Sequence, residues 1–230
     1  MIPLRDNIRS RRFPFLTVTI LVTNVAVFFY ELSLGDSVQI LFRSYGVIPR
    51  ELTGAVVDMG PDSLRVLATL VSSQFLHVGW FHLLGNLLYL WIFADNVEGY
   101  IGSFRFFILY LLSGVTAAAV HVAIRPLDII PTIGASGAIA GVLGAYVLLF
   151  PWAKVKTLVP IGFFLTVVEI PALLFLGLWF VIQFLSGLAA LAPGNVAAGG
   201  VAWWAHVGGF VGGAVLLMIL KPARAVSPSS

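Results

Sequence analysis

A chain of 230 residues that is 60% hydrophobic and only 10% charged, with a mean hydropathy of +1.02, is not a water-soluble globular domain. It reads as a multi-span membrane protein. The net charge of +3 sits in short arginine and lysine runs beside apolar segments, which argues against nucleic acid as a partner, and the absence of cysteine excludes disulfides, thiolate metal ligands and a thiol nucleophile.

Residues 1–12 form a basic N-terminal segment carrying Arg5, Arg9, Arg11 and Arg12. The apolar run Phe13 to Tyr30 follows; it is too long for a signal-peptide core and lacks an Ala-x-Ala cleavage site, so it reads as a retained membrane anchor. Ile2 after Met1 leaves no glycine to carry a myristoyl group. Since a span needs about 20 mostly apolar residues, six are predicted, at 13–34, 79–96, 103–124, 134–152, 162–188 and 201–220. The long outer connection at 35–78 mixes apolar residues with Arg43, Arg50, Asp58 and Asp62, as short helices lying in the membrane interface do. Residues 13–220 are expected to form one six-helix, all-α, polytopic bundle, and 221–230 a disordered cytoplasmic tail. Nine lysines and arginines fall on one side of this topology and four, Arg43, Arg50, Arg65 and Arg125, on the other, so both termini are expected to be cytoplasmic.

Polar residues inside spans are costly and are functional candidates by default. His82 and Asn86 lie on the second predicted span, Ser136 on the fourth and His206 on the sixth. The topology runs all three helices in one direction and places the four residues at a common depth, on the order of 5–10 Å below the outer surface. His82 and Asn86, four apart, share a helix face; His77 does not share it and is assigned to the preceding loop or the helix start. His121, at the outer mouth of the third span, reads as an interfacial residue. Glycines at 134, 137, 141 and 144, and the overlapping pairs Gly208 with Gly212 and Gly209 with Gly213, predict close packing of the fourth span on the sixth. Gly137, Gly141, Gly209 and Gly213 are thus assigned to helix packing, with Ser136 and His206 carried on the touching helices.

A serine hydroxyl becomes a nucleophile when a neutral imidazole takes its proton. No carboxylate completes a triad: Glu169, early in the fifth predicted span, is at the wrong depth, and Glu169 and Gln183 are read as structural. A hydrolytic site here is a Ser136–His206 dyad, with Asn86, His82 and the backbone N–H at Ser136 as oxyanion donors. A Gly-x-Ser-x-Gly elbow is absent because residue 138 is alanine. Taken alone, Ser136 reads first as a small packing residue among glycines, and it is the convergence of the four polar residues at one depth that brings the hydrolytic reading level with it.

Three motifs together decide between these readings: "HVGWFHLLGN" (77–86), "GASGAIAG" (134–141) and "AHVGGFVGG" (205–213). With them the chain resembles the rhomboid intramembrane serine proteases, whose patterns are H-x4-H-x3-N, G-x-S-G and A-H-x-x-G-x-x-x-G; Glu98 in "NVEGYIG" is similar to that family's structural glutamate. The resemblance implies that Ser136 is the nucleophile, that His206 is general base and then acid, and that His82 and Asn86 stabilise the oxyanion. It further implies single-span membrane proteins as substrates, cut near the outer end of their helix, and no cofactor or metal. Two features depart from the pattern: Ala140 stands where many members carry an aromatic residue against the histidine, and the first outer loop lacks a Trp-Arg pair.

Substrates are expected to carry helix-weakening residues near the cut and to bind as an extended strand. The uncharged loop 192–200 is expected to act as a mobile cap moving with the fifth span. Rival readings are an inactive rhomboid-like binder of membrane proteins, a small transporter, and a metalloprotease using His77, His82 and His206. The last lacks an H-E-x-x-H motif. The bare core, with no transit peptide, points to a prokaryotic plasma membrane as the location, with the site open to the extracytoplasmic side.

Overall fold

Among the described residues of the computed structural model, four helices are long and apolar enough to cross a membrane: α1 (Phe15–Ser33), α6 (Ser103–Ile124), α8 (Ala172–Ala189) and α9 (Trp203–Leu220). A fifth crossing arises if α4 (Ser63–Ser72), with the 3-10 turn Ser73–Phe75, is counted with α5 (Trp80–Ile101), from which it is bent by 80°. The remaining apolar helix, α7 (Ser136–Leu149), has 14 residues and is buried nearly all round. The structure describes residues 1–10, 12–162, 164–192 and 201–221; most of the loop 192–200 and of the tail 221–230 lies outside them.

The helical class holds for the membrane-crossing part, and to it the structure adds a three-stranded antiparallel sheet, β1 (Ile2–Arg5), β2 (Lys154–Ile161) and β3 (Phe164–Pro171), in the order β1-β2-β3. This corrects the fifth predicted span. It begins at Ala172 rather than at 162, and Glu169 lies on β3, facing Lys156 across the ladder, with Lys154 and Lys156 Nζ each 3.5 Å from its carboxylate. The physical reason is local: Thr166, Val167, Val168 and Ile170 favour an extended chain, Gly162 turns it at φ +59°, and Pro171 caps α8. An apolar window does not separate such a strand from the helix it runs into.

A Cβ on Gly209 would lie 2.1 Å from the Gly137 carbonyl oxygen, and one on Gly213 2.1 Å from that of Gly141, so α7 and α9 run parallel with their backbones in contact. Helix α6 crosses both in the opposite sense, with Ala117 and Ser113 against Gly137 and Gly141 and with Val120 and Thr116 against Gly208 and Gly212. The sheet follows α7, so residues 2–5 and the end of α9 lie at the same end of the bundle.

Glu98, near the C-terminal end of α5, ties three helices together. Helix α1 has no side-chain cap of its own, and the buried Glu98 carboxylate supplies one, accepting from Leu16 N–H at 3.0 Å, Thr17 N–H at 2.8 Å and Thr17 Oγ1–H at 2.7 Å. Ser103 Oγ–H, at the start of α6, donates to the same carboxylate at 2.6 Å. Glu98→Ala is expected to cost about 3–5 kcal/mol, because it strands these donors, while Glu98→Gln, which keeps an accepting oxygen, loses less. Thermal unfolding in detergent reads the difference; equal midpoints for Glu98→Ala and wild type would refute the capping role.

The N-terminal segment is pinned through Asp6, whose carboxylate accepts from Asn96 Nδ2–H at 2.8 Å and from the Tyr146 hydroxyl. Burial raises the Asp6 carboxyl to about 6, against the lowering effect of these hydrogen bonds. A folded-state value above the unfolded one favours the docked segment below the unfolded value, and that stabilisation is lost as the pH rises through about 6. Protection of the backbone amides at residues 2–5, taken relative to their intrinsic exchange rates, is therefore expected to be greater at about pH 5 than at about pH 8, and Asp6→Asn to weaken that difference. Identical pH profiles in the two proteins would contradict this.

Candidate active site

Ser136 is the first residue of α7, so its backbone N–H lacks an intrahelical acceptor. The turn before it is fixed from both sides. Gly134 N–H donates to the Ser73 carbonyl at 2.9 Å, and Thr132 pairs with Val47 through reciprocal bonds of 2.8 and 3.0 Å. The segment 35–78 is built from short helices, α2 (Val38–Tyr45), α3 (Pro49–Asp58) and α4, and through Val47 and Ser73 it holds the strand that leads into Ser136. Gly134 has φ +124°, and a Cβ there would lie 2.6 Å from the His82 ring, so both the backbone angle and the space require glycine.

The α7–α9 contact brings together side chains 70 positions apart: His206 Nε2 lies 2.9 Å from Ser136 Oγ. Both border a cavity of about 530 Å³ that His82, Asn86 and Trp179 also line. His82 and Asn86 are on the same face of α5, as their spacing predicts. His82 Nδ1 and Asn86 Nδ2 are buried and have no hydrogen-bond partner among the described residues. Unpaired buried donors are uncommon, and two beside one cavity are suited to an acceptor brought by a ligand.

His77 sits in the turn before α5, where its backbone N–H donates to the Glu31 carboxylate at 3.0 and 3.3 Å and its ring packs edge-on against His82 at 5.1 Å. His121, on α6, lines a smaller neighbouring cavity beside Arg125 rather than the one at Ser136. Among the described residues no three His, Cys, Asp or Glu side chains are grouped to hold a metal ion.

Two residues of the site escaped the sequence reading. Gln183 on α8, read there as structural, has its amide oxygen 2.6 Å from His206 Nδ1. Trp179, one turn earlier on the same helix, has its ring 5.9 Å from the imidazole at a tilt of 35°. The available signal for Gln183 was a lone amide in the C-terminal half of a helix whose only other polar side chain is Ser186.

A bundle of apolar helices with a serine and a histidine meeting on two glycine-packed helices defines a polytopic membrane protein of rhomboid type. Residues 65–223 match the family model of the Rhomboid domain, and the chain belongs to the rhomboid family. It is 31% identical over 154 residues to Rhomboid-like protein 11, chloroplastic, of Arabidopsis thaliana, covering 66% of this chain and 51% of that protein. It is 32% identical over 153 residues to Rhomboid protein 1, mitochondrial, of Saccharomyces cerevisiae, covering 64% of this chain and 40% of that one. Over 70 residues, 30% of this chain and 13% of the relative, it is 44% identical to Rhomboid protease GluP of Bacillus subtilis. The chain thus spans about half of the plant protein's length and less of the other two.

Proposed function

We propose that the protein is an intramembrane serine endopeptidase that cuts single-span membrane proteins near the outer end of their helix. The observation that carries this reading is the 2.9 Å contact between Ser136 Oγ and His206 Nε2 at the edge of the cavity. Family membership and the name of the Bacillus subtilis relative support it.

In this mechanism Ser136 Oγ attacks the scissile carbonyl carbon while its proton passes to His206 Nε2. The carbonyl oxygen becomes an oxyanion facing the unpaired His82 and Asn86 donors and the Ser136 backbone N–H. Collapse breaks the C–N bond, the departing amine takes the proton from Nε2, and an ester remains on Ser136. Water then attacks the ester, His206 takes its proton, and the second product leaves with the hydroxyl restored. The cavity borders the reacting groups at the end of α7 where the helix begins, and the bias of lysine and arginine supports an extracytoplasmic position for that end, with both chain termini cytoplasmic. Substrates are membrane-spanning segments whose helix unwinds readily near the cut.

The test is cleavage of a labelled single-span substrate by purified protein in mild detergent, wild type against Ser136→Ala. Cleavage by wild type alone supports the reading. Cleavage by both places the chemistry elsewhere, and capture without cleavage by wild type supports a binder instead.

A further inference from the structure

We propose that α8 is the element that positions the catalytic histidine, with Gln183 fixing its tautomer and Trp179 its ring plane. The proposal rests on the reading of Ser136 and His206 as a proteolytic pair.

A base facing Ser136 must present a bare Nε2, which requires the ring hydrogen on Nδ1. Some acceptor must hold that hydrogen, or the two tautomers compete and the ring is free to turn. Among the described residues no carboxylate is bonded to His206; the group found 2.6 Å from Nδ1 is the amide oxygen of Gln183. An amide oxygen only accepts, so Nδ1–H donates to it and Nε2 is left as the acceptor for Ser136 Oγ–H. The reverse orientation of the amide would put the hydrogen on Nε2 and remove the base. Gln183 is itself buried, and its place on an apolar helix gives the polar contact a sharply defined geometry.

The ring plane needs a second constraint, which α7 does not supply: Ala140, one turn after Ser136, is fully buried and carries only a methyl group. Trp179, on α8, supplies it. Its indole stands 5.9 Å from the imidazole and 6.2 Å from Phe210, the residue one turn after His206, so it leans on two successive turns of α9. Trp179 and Gln183 are four apart and share one face of α8, so one rigid helix face sets both the tilt and the protonation of the imidazole. Helix α8 therefore must be seated on α9 for the base to be competent.

The test replaces Gln183 by Met, which keeps volume but accepts no strong hydrogen bond, and by Glu, which keeps an accepting oxygen. Turnover of the single-span substrate is measured together with the ring-nitrogen NMR signals of His206 in selectively 15N-labelled protein. Wild type is expected to show a single tautomer with hydrogen on Nδ1. Gln183→Met is expected to show a mixture, with kcat lower by about 10- to 100-fold at unchanged KM. Gln183→Glu is expected to recover the single form and most of the kcat. A wild-type tautomer with hydrogen on Nε2 overturns the proposal, and so does a Met variant whose kcat falls while its His206 signals stay as in wild type. The wild-type assignment needs no variant to fold. If wild type cuts no substrate, the protease reading fails separately, and the tautomer comparison still decides what Gln183 does.

Discussion

Cleavage of a single-span substrate is expected to fall by about 10⁴-fold or more in Ser136→Ala protein, while its unfolding midpoint stays close to that of wild type. The two halves of this result follow from different features. Ser136 is a small residue at the start of α7, where alanine fits the same space, so folding has little reason to change. In the proposed reaction the chemistry has no substitute, because the hydroxyl oxygen would form the ester and its partner His206 is 2.9 Å away. His206→Ala should cost about as much, and the double variant should be no worse than either single one, since residues acting as a unit lose their joint effect once. Additive losses would mean that the two side chains act in separate steps. Residual cleavage well above background in both single variants would mean that neither is essential.

The second large effect concerns stability and reaches the site through the backbone. At Gly213 a Cβ would lie 2.1 Å from the Gly141 carbonyl oxygen and 2.3 Å from its Cα, and both are backbone atoms that have no side-chain freedom with which to give way. Gly213→Ala is expected to destabilise by about 1–3 kcal/mol, and Gly213→Leu to prevent the folded state from accumulating. The same separation of α7 from α9 lengthens the contact between Ser136 and His206, so Gly213→Ala should lose activity even in its folded fraction. Gly177 on α8 is the internal control: nothing lies within 4 Å of a Cβ there, and alanine at that position gains helix propensity of about 1 kcal/mol. If Gly177→Ala and Gly213→Ala behave alike, the close approach of the two helices does not hold the site together.

Much of this was legible in the sequence. Hydropathy fixes the membrane class, because no other solvent accommodates such a composition. Glycines three and four apart on the segments that became α7 and α9 announce helices in contact, and a polar residue on each, at matched depth, announces where the contact matters. The position of His82 and Asn86 on one face follows from their spacing alone. Residues 164–171 were not legible, since apart from Glu169 every residue in the window is apolar or β-branched and an apolar run of that length does not separate a strand from the start of a helix.

What the sequence by itself determined is therefore local or one-dimensional: the solvent, the helix faces, the depths and the small-residue seams. The tertiary structure decided which distant atoms meet. It decided that Glu98 caps α1, that a turn held by Val47 and Ser73 leads into Ser136, and that Gln183 and Trp179 of α8 reach the His206 ring. The reason is that such contacts depend on how each helix is rotated about its axis and tilted against its neighbours. In a chain whose helices are apolar on every side, that rotation is set by the fit of side chains and backbone between helices.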